Sequence, residues 1–459
     1  MLSGNTLLEP LLGSPALADI FSDRGRLQGM LDFEAALAEA EAAVGIIPAG
    51  AAPAIAAQCR AELFDIEALA TATAASGNPA IPLVKALTAL VAQDDAEAAR
   101  YVHWGATSQD ANDTGLVLQL RRALPLIEAD VARLGDALAA LAAQHRLTLL
   151  AGRTWLQQAV PTTFGLKAAG WLDALMRHRA RLATVRVELL SLQFGGASGT
   201  LASLGQQGMA VAEALAAKLD LALPDMPWHT ERDRLAALGT ALGGLLGTLG
   251  KMARDVSLLM QTEVGEAFEP AAEGRGGSST MPHKRNPVAA ASVLAAATRA
   301  PGLVATLLAG MVQEHERGLG NWQAEWTALP ELVVLAGGAL SKMADCIAGL
   351  EVDAARMRAN IDATQGLGLA EAVSMALSVK LGKSAAHQQV EAACRRAIAE
   401  KRHLRQVLAA DPAVSSALTA AELDRLLDPL NYLGAAGAFV DRVLAAWQRM
   451  AAAHGNEPA

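Results

Sequence analysis

Residues 277–287 read Gly-Ser-Ser-Thr-Met-Pro-His-Lys-Arg-Asn-Pro, which places three hydroxyls and two cations within eleven residues. Ser278, Ser279 and Thr280 offer hydrogen bonds, and Lys284 and Arg285 offer positive charge, a combination suited to an anion such as a carboxylate. Gly274, Gly276 and Gly277 leave the approach to the segment with little conformational restraint, so it is composed as a lid. Asn286 reads as an N-cap and Pro287 as the first residue of a helix, whose positive terminus would add to the field at the anion. A solvated loop with incidental charges is the plain alternative for the same letters.

Four further segments concentrate polar groups in a chain otherwise rich in Ala and Leu. In His103-Trp104-Gly105-Ala106-Thr107-Ser108-Gln109-Asp110 the hydroxyls and amide suit carboxylate oxygens, or equally an N-capping loop. The second runs Gly152-Arg153-Thr154-Trp155-Leu156-Gln157-Gln158. Thr230-Glu231-Arg232-Asp233-Arg234 opens a helix, and Arg232 is either a ligand-binding residue or part of a solvated charged start. In Gln313-Glu314-His315-Glu316-Arg317-Gly318-Leu319-Gly320-Asn321-Trp322, Arg317 is a fork donor for a carboxylate, or the cation of an interhelical salt bridge. Phe194-Gly195-Gly196-Ala197-Ser198-Gly199 lacks a preceding strand pattern and reads as a turn between helices, not a phosphate loop. None of the nine histidines has metal-ligand spacing, so no metal is expected.

Helices must position these segments. Aromatic residues are 3% of the chain, hydrophobic residues 52% and charged residues 19%, a balance dominated by Ala and Leu that favours helix over sheet. Leu120, Leu124, Ile127, Val131, Leu134, Leu138 and Leu141 alternate steps of four and three, predicting a helix with one buried seam and a kink at Pro125. Leu235, Leu238, Leu242, Leu245, Leu249, Met252, Val256 and Leu259 keep the same rhythm, with lengths of roughly 30 to 40 Å. Gly239, Gly243, Gly244, Gly247 and Gly250 in that second helix predict close backbone approach of neighbours. Ser22 and Gly45 read as the cap and stop of a helix around Leu27, Met30, Leu31 and Leu37. The expected architecture is all-α: an N-terminal helical domain over 1–111, a long-helix bundle over 112–360 and a C-terminal helical domain over 361–459.

The net charge of −9 excludes a general nucleic-acid binder, and any anionic ligand must be held by a local cluster. Three cysteines far apart suggest no disulfide framework and a reducing cytoplasm. Apolar runs are interrupted before they reach membrane-spanning length, and no signal peptide is apparent, so the expectation is a soluble protein without membrane partners.

The 277–287 segment closely resembles the signature loop of the fumarase/aspartase superfamily, G-S-S-x-M-P-x-K-x-N-P. His103 to Asp110 resembles the family's H-x-G-x-T-S-x-D block, and Gly152 to Ala159 its G-R-T-H-x-Q-x-A block. The resemblance implies an all-α fold with a central long helical bundle, a homotetramer with active sites shared between subunits, and no cofactor. It also implies Ser278, Lys284 and Arg317 in catalysis, and His103, Thr107, Ser108, Gln109, Trp155, Gln157, Arg232 and Asn286 in substrate binding. Whether Ser278 or Lys284 transfers the proton stays open.

Two departures bear on the reaction. The family's lyases pair a histidine of the second block with a glutamate on the helix after the signature loop, and these positions hold Trp155 and Ala291 here. That pair assists a poor leaving group; a carboxylate, stable as an anion with a pKa of about 4, needs far less help. Trp155 and the H-E-R-x-x-G-x-W segment are similar to those of the superfamily's bacterial lactonising cycloisomerases, whose leaving group is an internal carboxylate of a tricarboxylate substrate. A C–N lyase resembling adenylosuccinate lyase and a non-catalytic helical scaffold are the alternatives.

Overall fold

The structure, a computed structural model, describes residues 7–271, 276–277, 280–281 and 283–454. Ser278, the expected acid–base residue, lies outside the described residues. The chain divides into two compact units, each drawn from three separate stretches. The first comprises Met1–Val131, His178–Gly250 and Ser292–Lys342, and the second comprises Ala132–Arg177, Lys251–Ala291 and Met343–Ala459. Among the labelled elements, α1 spans Asp23–Val44 and α2 spans Ser108–Gln144; the hairpin strands β1 and β2 are Leu149–Thr154 and Gln157–Thr163. Helix α3 spans Phe164–Leu189, α4 Asp233–Leu259, α5 Val288–Gly310 and α6 Asn321–Ala348, while β3 (Ala267–Phe268) pairs with β4 (Glu351–Val352). The all-α class holds, with two small antiparallel sheets added to it among the described residues, the β1–β2 hairpin and the β3–β4 pair of chain-distant strands.

Both predicted seams are real. Every residue of the Leu120-to-Leu141 and Leu235-to-Leu259 series is buried. Helix α2 runs through Pro125 without a break for 37 residues, about 55 Å, longer than the spacing suggested. Helix α1 begins at Ser22, whose hydroxyl accepts from the Gly25 N–H at 3.1 Å, and stops at Gly45 with φ 84°.

In the first unit, glycines set two helix–helix approaches. A Cβ on Gly239, Gly243 or Gly250 of α4 would lie 2.4, 2.6 or 2.8 Å from side-chain atoms of Leu307, Val304 or Ala297 of α5, the close approach predicted, whereas Gly244 has only the His178 ring at 3.5 Å and Gly247 has nothing within 4 Å. Where α1 crosses α2 the contact is backbone on backbone. A Cβ on Gly29 would lie 2.6 Å from the Gly115 carbonyl oxygen, and one on Gly115 would lie 2.9 Å from the Gly29 carbonyl carbon. Neither side can yield by rotating a side chain.

In the second unit, the C-terminal helices close a separate core around Val373, Leu377, Val390, Leu404, Val407 and Leu408. Trp447 covers Gly135 of α2 and donates its Nε1–H to Asp136 at 3.0 Å.

Among the described residues two helices are long and apolar enough to cross a membrane, α4 and α5, contrary to the expectation that none would be. The most apolar stretch of α4 is 61% buried inside the protein, so its apolar residues are spent on the core. That of α5 is only 33% buried, and Ala291, Ala295, Pro301, Ala305, Leu308 and Ala309 face outward.

Gly29→Ala should destabilise the chain by about 1–3 kcal/mol despite the roughly 1 kcal/mol that alanine gains over glycine within a helix. Urea unfolding monitored by circular dichroism reads the difference, and an unchanged or raised midpoint would contradict the backbone contact.

Candidate active site

The first turns of α2 are built on buried carboxylates. Asp110, fully buried, receives the N–H groups of Thr107, Gly195 and Gly196 at 3.0, 3.0 and 2.9 Å and the Gln193 amide at 3.1 Å, and His229 Nε2 lies 2.9 Å away. A carboxylate with that many partners is a stable buried charge. It fixes the 194–199 turn against the helix start. Thr107 is thereby positioned as the helix N-cap, with its N–H taken by Asp110. The hydroxyls of Thr107 and Ser108, both partly buried, have no hydrogen-bond partner among the described residues. This leaves two hydroxyls and a positive helix end available to an anion.

One turn on, Asp113 anchors a second network. Arg232 gives Asp113 two hydrogen bonds, at 2.7 and 3.1 Å, and gives Glu325 three, at 2.6 to 3.2 Å. Trp322 Nε1 and Gln109 Nε2 also donate to Asp113, at 3.1 and 3.0 Å. Arg232 is buried and every nitrogen of its guanidinium is engaged, so the expected substrate-binding role is corrected: it is an internal counter-ion. Burial alone would lower the Arg232 pKa, but the two carboxylates outweigh it and raise the value. Glu325 moves up as well, because burial and the neighbouring Asp113 outweigh the pull of Arg232.

Gln109 is also corrected. It is fully buried, its amide nitrogen donates to Asp113 and to the His229 carbonyl at 2.8 Å, and its oxygen accepts from Arg317 Nε at 2.9 Å. Gln109 therefore orients Arg317 and does not itself face a ligand. A second Arg317 nitrogen donates to the Ala197 carbonyl at 3.1 Å, and the guanidinium stays partly exposed. His103 belongs to the same unit; its Nδ1 lies 2.6 Å from Glu34 Oε1 of α1, and its backbone is left-handed with φ 58°.

The second unit carries the other two blocks. Thr154 pairs with Gln157, so Trp155 and Leu156 form a two-residue hairpin turn, with φ 52° and 62°. Such turns usually take Asn and Gly, and two bulky residues there are strained. Trp155 is 97% exposed at the tip, and Gln157 is exposed beside it. The strands are tied down from below: Arg153 forms a bidentate pair with the buried Glu266, at 2.6 and 2.8 Å, and Asn360 also donates to Glu266.

The signature loop is pinned at its base, where the Asn286 N–H donates to the Gly276 carbonyl at 2.8 Å. Gly276 has φ 69°, and a Cβ there would lie 2.8 Å from the Asn286 carbonyl oxygen. Arg285 reaches Glu351 of β4 through two bonds of 2.9 Å, so it anchors the loop. Lys284 is exposed, and its ammonium has no partner among the described residues. The helix boundary differs by one residue from expectation: α5 starts at Val288, and the Pro287 carbonyl accepts from the Ala291 N–H. Its positive terminus is already filled, because buried Glu269 accepts from the N–H groups of Ala289 and Ala290 at 3.0 and 2.8 Å. The expected contribution of that terminus to an external anion is therefore corrected.

Sequence reasoning passed over Asp110, Asp113, Glu34, Glu266 and Glu269, all acidic and all buried. Glu34 had a readable signal. It lies at helical spacing from Leu27, Met30, Leu31 and Leu37, on the buried face of α1.

A profile of the family described as lyase matches residues 13–302. The chain belongs to this lyase family, within the fumarase/aspartase superfamily. A profile described as the adenylosuccinate lyase C-terminus matches residues 366–443. Among similar proteins is the 3-carboxy-cis,cis-muconate cycloisomerase of Pseudomonas aeruginosa, 62% identical over 96% of each chain. A protein of the same name from Bradyrhizobium diazoefficiens is 58% identical over 96% of this chain and 98% of its own. The crystal structure of the 3-carboxy-cis,cis-muconate lactonizing enzyme of Pseudomonas putida superposes with a TM-score of 0.93 at 58% identity, covering 97% of this chain and 99% of that one. These likenesses span the whole lyase-family architecture, so the fold and family expected from the motifs are established.

Removing Arg232 leaves two buried carboxylates without their cation. Arg232→Ala should cost about 3–5 kcal/mol of stability, read as a lowered urea midpoint. Full stability with only a raised KM would instead identify Arg232 as a ligand-binding residue.

Proposed function

We infer that the chain is a cycloisomerase interconverting 3-carboxy-cis,cis-muconate and its lactone, 4-carboxymuconolactone, in protocatechuate degradation by the β-ketoadipate route. The observation that carries this reading is the joint replacement of the lyases' histidine and glutamate by Trp155 and Ala291. A His–Glu pair serves elimination of an amine or hydroxide, whereas an internal carboxylate leaves or attacks without an acid of its own. The 62%-identical relative bears the name of that reaction, which supports the same conclusion.

In the cyclising direction one carboxylate oxygen of the tricarboxylate adds to an alkene carbon, closing the ring. The electron pair moves onto the carboxylate next to the adjacent carbon, as an enediolate, and that carbon then takes a proton. Thr107, Ser108 and His103 hold one carboxylate, and Gln157 and Asn286 hold another. Lys284 and Arg317 stabilise the charge that develops in the transition state, where fixed cations act without reorganising. Ser278 delivers the proton, with Lys284 as the competing donor. A serine acts so only when neighbouring cations and N–H groups favour its alkoxide. No cofactor or metal enters the scheme.

The working form is a homotetramer. An outward apolar face on α5 and a strained, fully projecting Trp155 are costly in water and suit burial against other copies of the chain. In that assembly the hairpin tip completes a partner's site. Gel filtration with light scattering is the check, and an active monomer would refute the arrangement.

Adding the protein to 3-carboxy-cis,cis-muconate without metal or cofactor should abolish the substrate's ultraviolet absorbance. Ser278→Ala and Lys284→Met should each lower kcat by about 10²-fold or more. An unchanged spectrum at high enzyme concentration would overturn the assignment, and full turnover by Ser278→Ala would pass the proton to Lys284. Release of fumarate from adenylosuccinate, the reaction type suggested by the C-terminal profile, would favour a C–N lyase instead.

A further inference from the structure

Helix α1 carries two glutamates on its buried face that no step above uses as acids or bases. Glu34 is 2% exposed and Glu41 is fully buried. Neither Glu41 oxygen has a hydrogen-bond partner among the described residues, nor has Glu34 Oε2. Burial, reinforced by the charge of Glu34, pushes the Glu41 carboxyl up to about 9, so Glu41 is neutral at pH 7. Glu34 alone of the pair has a hydrogen-bonded partner among the described residues. Its one hydrogen-bonded partner is the His103 ring, 2.6 Å away, with side chains 1% and 14% exposed respectively.

That geometry fixes the imidazole. Nδ1 carries its proton toward Glu34, and Nε2 is the ring's only other polar atom, with no partner among the described residues. His103 sits at the head of the block that leads into Thr107 and Ser108, on a left-handed backbone of φ 58° that a non-glycine residue adopts only under constraint. A buried carboxylate with a single partner is costly unless that partner is charged.

We propose that Glu34 is a positioning residue which holds His103 as an imidazolium, so that Nε2–H meets a substrate carboxylate as a fixed cationic donor. The proposal rests on the assignment of His103 to carboxylate binding. Burial alone would lower the His103 pKa; the charge and hydrogen bond of Glu34, followed by the charge of Asp110, outweigh it and raise the value. These two carboxylates, from α1 and α2, are the charged groups that face the ring. The sign follows directly. A folded value above the unfolded one means that the pair's stabilisation is complete below about pH 6.5 and is lost as pH rises through the folded value.

The test follows the His103 ring in the full-length protein labelled with 13C at histidine Cε1, its signal assigned by the spectrum of His103→Gln. The wild-type signal should titrate above the ordinary imidazole value, and in Glu34→Gln it should fall below it. With 3-carboxy-cis,cis-muconate, Glu34→Gln should raise KM about tenfold between the variant's ring titration midpoint and the wild type's, much less below or above both, and leave kcat within about twofold. The double variant Glu34→Gln/His103→Gln should be no worse than His103→Gln alone. Tricarballylate, an inert tricarboxylate, should show the same pH-dependent weakening by calorimetry. A wild-type His103 that titrates at or below the ordinary value overturns the proposal, and so does a KM increase that does not follow the ring's titration. Should Glu34→Gln fail to fold, the wild-type titration alone decides. Should the wild type not turn over the muconate at all, the functional assignment fails, while the titration and the tricarballylate arm still judge Glu34.

Discussion

The carboxylate of Asp110 is the point on which the first unit's chemistry depends. Three backbone N–H groups, one amide and one imidazole converge on a side chain with no exposure to water. Hydrogen bonds to a charged acceptor are worth about 1.5–3 kcal/mol each, so this group joins the helix start, the 194–199 turn and the segment at His229 more firmly than neutral packing would. Asp110 also takes the Thr107 N–H at the N-cap, and the Thr107 and Ser108 hydroxyls have no protein partner among the described residues. A structural charge thus prepares an opening for a ligand's charge.

The same arrangement is repeated one turn later. Asp113 and Glu325 hold Arg232, and Asp113 also holds one Gln109 N–H, so the Gln109 oxygen faces Arg317. The cation left partly exposed is Arg317, and the one fully enclosed is Arg232. Arginine type and spacing alone do not separate the two, because both sit beside glutamates and near helix starts. The difference lies in which carboxylates lie within reach after folding.

This marks where the sequence was legible. Seams such as Leu235 to Leu259, the Ser22 cap and the Gly45 stop follow from local periodicity and local hydrogen bonding, and the motif blocks carried the family. Less visible were contacts between residues distant in the chain. Glu269 fills the start of α5 from twenty residues away, and Gly29 and Gly115 meet across eighty-six. The β1–β2 hairpin was hidden for another reason: its turn is Trp155-Leu156, where propensity favours Asn-Gly. Units built from three non-contiguous stretches are also beyond a linear parse, since α2 to α6 each contribute residues to both.

The charge distribution bears on the kind of reaction proposed. A chain with net charge −9 pairs several basic groups of the motif blocks with acids of its own: Glu34 for His103, Glu266 for Arg153, Glu351 for Arg285 and two carboxylates for Arg232. Lys284 has no such partner among the described residues, and Arg317 is held only by neutral oxygens. Each of these cations lacks an internal counter-ion among the described residues, which suits the anionic tricarboxylate proposed as substrate. They also favour a transition state in which charge moves between carboxylates of that one ligand. With Trp155 and Ala291 in place of the lyases' acid pair, the proposed reaction asks for cations that stabilise an enediolate and for no group that protonates a departing amine. Of the two proton-transfer steps a lyase must manage, only the one at carbon remains, and a lactonising enzyme needs only that one.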